Sequence, residues 1–179
     1  IFEELRKLID NHRTEDEKDL DGVDCIVKDE FIKVGSAIFS IASGNMFYSE
    51  IYARLYKELM DEFPSMKTIF HDNLIMFRVI FETIEYCSPD EDYDKFCDNN
   101  KENEKRRATA MFYVNLMKLG VVSRHEITCI ISDIQKYQMS KIIEIDNKYI
   151  VDELSEVIYI LAKSVSSLIS NVSMITKCV

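Results

Sequence analysis

Three histidines, five cysteines and 32 acidic residues are the groups in this sequence able to do acid–base, nucleophilic or metal chemistry. Their spacing does not assemble a recognisable centre. His12, His71 and His125 occur in no H-E-x-x-H arrangement, and the chain holds no G-x-x-x-x-G-K and no G-x-S-x-G. Cys25, Cys87, Cys97, Cys129 and Cys178 are odd in number and form no C-x-x-C. Neither a disulfide framework nor a zinc site is indicated, and a reducing compartment is expected. Carboxylate pairs are frequent, but helices this acidic produce them by chance. No catalytic residue, metal or cofactor is therefore expected.

What remains is charge suited to recognition. Lys101, Lys105, Arg106 and Arg107 form the densest basic cluster, a candidate for RNA phosphates. Glu102 and Glu104 dilute it, and an exposed helix start is the plain alternative. Glu58, Asp61 and Glu62 are candidates for pairing with basic groups on a partner, as are Glu30, Lys33 and Asn45. These would share one edge if their helices run antiparallel. A net charge of −10 argues against purely electrostatic nucleic-acid binding, which depends on neutralising phosphates. It suits a basic partner protein.

The elements that position these groups read as helices. Four glycines and two prolines are too few for an all-β fold. Asn45 to Met60 carries two rows stepping by four: Phe47, Ile51, Leu55, Leu59 and Tyr48, Tyr52, Tyr56, Met60. Together they make an apolar face wide enough for two neighbours, so this helix is expected to be core. Ile51→Ala should then cost about 2–5 kcal/mol. Tyr48, Tyr52 and Tyr56 are expected to send their hydroxyls to the edge.

Other helices are expected over residues 1–12, from Asp29 and Glu30 to Gly44, from Pro64 to about Cys87, and from Glu102 to Leu119 with Gly120 as the stop. Residues 14–24 read as an acidic loop; residues 90–104 are acidic and polar, with 98–103 (DNNKEN) as a loop and Tyr93 and Phe96 able to anchor a short helical turn. Ser123 with Glu126 forms a capping box, and Val122 with Ile127 a hydrophobic staple. Residues 139–150 read either way. The last helix places Leu154, Ile158, Leu161, Val165, Leu168, Val172 and Ile175 at alternating steps of four and three. That spacing suits a buried helix or a coiled-coil seam. No apolar run reaches membrane-spanning length. The 179 residues are expected to form a single all-α domain, either a closed bundle or an α-solenoid of antiparallel HEAT-type helix pairs. Starting at Ile1 and ending at Val179, the chain is expected to be part of a longer scaffold protein.

Ala37 to Leu59 resembles the middle domain of the eukaryotic translation initiation factor 4-gamma scaffold family, as a divergent or viral member would. Ile38, Phe39, Asn45, Phe47, Ser49, Tyr52 and Ala53 hold comparable positions. Phe70 to Phe81 and Lys105 to Val122 are similar to later family helices. Two features depart: Val114-Asn115 stands for the family's Gly-Glu, and there is no tryptophan. The resemblance covers residues 28–137. It implies a non-catalytic cytoplasmic scaffold that binds a DEAD-box RNA helicase and holds its two lobes in a productive orientation. It also implies a cap-binding protein engaged through flanking sequence, and contact with mRNA. Relatives in mRNA decay, nuclear cap binding and splicing stay open, as does helical oligomerisation through the last helix.

Overall fold

The computed structural model describes Glu3, Lys7 and residues 23–143 and 147–175, with side chains for Glu3, Lys7, 32–143 and 147–165. The described residues are helical throughout their regular structure. The elements are α1 (Val23–Gly44), α2 (Ser49–Glu62), α3 (Ser65–Val79) with a 3-10 extension (Ile80–Thr83), α4 (Tyr93–Lys118), α5 (Arg124–Ile142) and α6 (Lys148–Ile175). The helix expected over residues 1–12 and most of the loop expected over 14–24 lie outside the described residues.

α4 is the element around which the others assemble. It packs against α1, α2, α5 and α6. Its second half is buried on every side: Ala108, Ala110, Phe112, Tyr113, Val114, Leu116 and Met117 all lie in the core. A helix apolar all round is one surrounded by others. Phe39 of α1 and Tyr56 of α2 meet Phe112 edge-on, each at 5.7 Å between ring centroids, and Phe77 of α3 meets Tyr113 at 4.7 Å. Edge-to-face packing of this kind adds about 0.5–1.5 kcal/mol per pair beyond burial. A buried hydrogen bond fixes α4 against the α1–α2 corner: Asn115 Nδ2 donates to Ser49 Oγ (3.1 Å). Beside it the Thr109 hydroxyl donates to the Lys105 carbonyl of its own helix (2.8 Å) and packs 3.4 Å from the Ser43 carbonyl.

The face expected to be wide is buried along only part of its length. Tyr56, Leu59 and Met60 are in the core, but Phe47 is 86% exposed and Ile51 65% exposed. Residues 45–48 form a turn in which Asn45 Oδ1 accepts from the Tyr48 amide (3.0 Å), and α2 begins at Ser49. Asn45 thus closes the turn instead of capping the helix. Phe47 and Tyr48 leave the helical register, so the rows never form at that end. α1 starts at Val23, ahead of the expected Asp29 and Glu30. Residues 98–103, expected as loop, are helical, because Asp92 caps α4 by accepting from the Lys95 amide (2.9 Å).

Two termini follow local chemistry closely. α4 ends at Gly120, whose φ of 76° lets Gly120 N–H reach the Met117 carbonyl and Val121 N–H the Leu116 carbonyl. This is the Schellman arrangement. α5 opens with the Ser123–Glu126 capping box, at 2.7 and 3.1 Å, with Val122 and Ile127 buried beside it.

Candidate partner-binding groove

A groove of about 1070 Å³ runs across α4, between the α1–α2 turn and α6. Ala108 and Met111 of α4 form its floor. Asn45, Met46 and Phe47 form one wall, and Tyr159 and Ile160 of α6 the other. Glu104, Arg107, Lys118, Glu156 and Lys163 add charge of both signs. Met46, Phe47, Tyr48 and Tyr159 are all exposed. Phe47 stacks edge-on against Tyr48 at 4.8 Å, and Tyr48 against Tyr52 at 6.3 Å, so the turn presents a continuous aromatic surface. Contiguous exposed apolar surface with a charged border marks an interaction site more often than chance exposure.

The expected site residues do not all meet. Asn45 lines the groove, half-buried. Glu58, Asp61 and Glu62 are exposed at the far end of α2, roughly 20 Å away at 1.5 Å per residue. Asp61 accepts from Lys57 (3.0 Å). Lys33 is exposed on α1. The side chain of Glu30 lies outside the described residues. Asn45 belongs to the groove, whereas Glu58, Asp61 and Glu62 do not line it.

The basic cluster is dispersed around α4. Lys101 is exposed and pairs with Asp98 (2.9 Å), and Lys105, one turn further along α4, is exposed on the same side. Arg106 is 4% exposed and cannot reach an RNA phosphate. Its guanidinium donates to the carbonyls of Ile80 (3.3 Å) and Thr83 (3.1 Å) and to Asn103 Oδ1 (2.5 Å). Those carbonyls belong to the 3-10 extension, so Arg106 serves as its C-terminal cap. This accounts for the turn away from helix at Ile84, ahead of the expected Cys87. Arg107 lies 3.5 Å from Glu153 of α6, a buried carboxylate. Burial raises the Glu153 pKa above the ordinary value, with Arg107 and Arg106 opposing it.

Several features escaped sequence reasoning. Glu153 sits inside an apolar-periodic helix, where it reads as an ordinary surface acid. The Tyr56 and Tyr113 hydroxyls are buried without a hydrogen-bond partner, so Tyr56 does not reach the edge. His125 Nε2 and Cys129 Sγ approach to 3.6 Å, a pair that the one-turn spacing shows. The described residues contain no group of three His, Cys, Asp or Glu able to hold a metal, and no helix long and apolar enough to cross a membrane. No family profile, curated protein or solved structure matches the chain.

Proposed function

We propose that this chain is a protein-binding scaffold domain of the helicase-stimulating type, with the groove at Met46–Tyr48 as a main contact surface. The observation that carries this reading is the exposed aromatic turn at the α1–α2 corner, held from beneath by the buried Asn115–Ser49 hydrogen bond to α4. A fixed backbone presenting large rings loses little conformational freedom on binding. A HEAT-type solenoid is part of this reading: its support is that α1 packs on α2 and α5 on α6, and that both of these pairs pack on α4.

The resemblance in residues 28–137 makes a DEAD-box RNA helicase the partner, in translation initiation and in the cytoplasm, with a cap-binding protein recruited through flanking sequence. The Glu58–Glu62 edge supplies rim charges that set association rate and specificity. Direct contact with mRNA is proposed for Lys101 and Lys105.

The expected outcome is co-elution of the purified chain with a DEAD-box helicase and a rise in its RNA-dependent ATPase rate. Phe47→Ala should weaken that association tenfold or more while leaving thermal stability unchanged. If the chain neither co-elutes with a panel of such helicases nor alters their turnover, the reading is lost. Selectivity within the panel separates initiation from mRNA decay and splicing.

A further inference from the structure

A second cleft, of about 700 Å³, lies between the 84–89 segment, the first half of α4 and the start of α6. Its lining is acidic: Glu85, Asp152, Glu153 and Glu156 stand with Arg107, and Glu85 is already paired with Lys95 (3.2 Å) just outside the cleft. Two polar groups within it are buried without hydrogen bonds. One is Glu153 Oε1, on a residue 8% exposed; the other is Asn99 Nδ2. Arg107 Nε stands 3.5 Å from that carboxylate oxygen, close enough to attract it but making no hydrogen bond. At the mouth, Tyr86 and Tyr149 stack face to face, 3.6 Å between centroids and 3° from parallel. Both rings are exposed. An orphaned buried polar atom costs about 1–3 kcal/mol and calls for a partner.

We propose that this cleft binds an arginine side chain carried on a partner polypeptide. The acceptor left open on Glu153 takes a guanidinium N–H, and the donor left open on Asn99 takes a main-chain carbonyl of the same peptide. Carboxylates at Asp152 and Glu156 add to the attraction. A guanidinium stacks flat on an outer face of the tyrosine pair, the inner faces being closed against each other, and carries five N–H donors, whereas a lysine ammonium is a compact, strongly hydrated charge. An anionic ligand is repelled by the four carboxylates, and the described residues offer no metal-holding group. This inference does not depend on a helicase being the partner.

The test is NMR titration of the whole chain with the blocked peptide acetyl-Gly-Arg-Gly-amide, beside its citrulline and lysine counterparts. Citrulline keeps the shape of arginine and removes the charge. Saturable shifts are expected at the Asn99 side-chain amide and at the Tyr86 and Tyr149 rings. The citrulline and lysine peptides should bind at least tenfold more weakly. Glu153→Gln should weaken the arginine peptide tenfold. Tyr149→Ala, at an exposed ring, should do the same without risk to the fold, while Glu58→Gln should leave it unchanged. Equal shifts from arginine and citrulline, tight binding of lysine, shifts spread unsaturably over the acidic surface, or wild-type affinity in Tyr149→Ala would each overturn the proposal.

Discussion

Burial divides residues of one row of one helix. Leu59 and Ile51 lie eight positions apart on the same row, yet Leu59 is fully buried and Ile51 is 65% exposed. Leu59→Ala should lower unfolding stability by about 2–5 kcal/mol, and Ile51→Ala by less than about 0.5 kcal/mol. Chemical denaturation of the two variants checks the contrast. Arg106→Ala strands two carbonyls of the 3-10 extension and should cost on the order of 3 kcal/mol. Equilibrium unfolding reads that cost, while an RNA-binding assay should show no direct effect of the substitution.

Glu153 makes a pH prediction at the same scale. Its folded pKa lies above the ordinary 4.5, because burial penalises the charged form. The folded protein therefore holds this proton more tightly than the unfolded chain. Its contribution to stability is unfavourable above the raised folded value and is relieved as pH falls toward 4.5. Measured against Glu153→Gln, the native chain should gain relative stability as pH falls through the raised folded value toward 4.5. Glu126 works in the opposite direction. The Ser123 amide that bonds its carboxylate lowers its pKa, so its contribution is lost as pH falls through that lowered value.

Among the elements, local signals succeed where the chemistry is local. The α5 capping box and the Gly120 stop are read from a few adjacent residues and recur in the structure unchanged. Ser123→Ala should cost about 1 kcal/mol, mostly as fraying of α5 seen by amide exchange. The first half of α4 is illegible in sequence for the converse reason. Asp92 caps a stretch with few apolar residues, and that half becomes helix because the second half is clamped in the core. Gly35 shows the same dependence on packing. A Cβ there would stand 2.4 Å from Ile69 Cδ1 and 2.9 Å from Met66 Sδ, so α1 and α3 pack closely at a residue whose sequence context carries no such signal. Gly35→Ala should destabilise by about 1–3 kcal/mol through overpacking, in spite of its better helix propensity.

For the whole molecule, the four-three spacing of the last helix is used inside the chain. Of that row Leu154 and Leu161 are fully buried, Ile158 and Val165 pack half-buried against the core, and α6 packs on α4 and α5. Leu161→Ala should therefore lower stability by about 2–5 kcal/mol, with a denaturation midpoint independent of protein concentration. A midpoint that rises with concentration would instead favour association through this seam. Leu168, Val172 and Ile175 lie beyond the described side chains.

The sequence by itself determined the helical class, several helix ends and the absence of recognised catalytic motifs. Those properties depend on periodicity, caps and spacing, which are local. The tertiary structure decided which half of each apolar face is covered, because coverage depends on neighbours brought in from distant parts of the chain. It buried Arg106, exposed Phe47, and joined Arg107 to Glu153 across 46 positions. Both candidate binding clefts arise there, between elements that no single stretch of sequence contains.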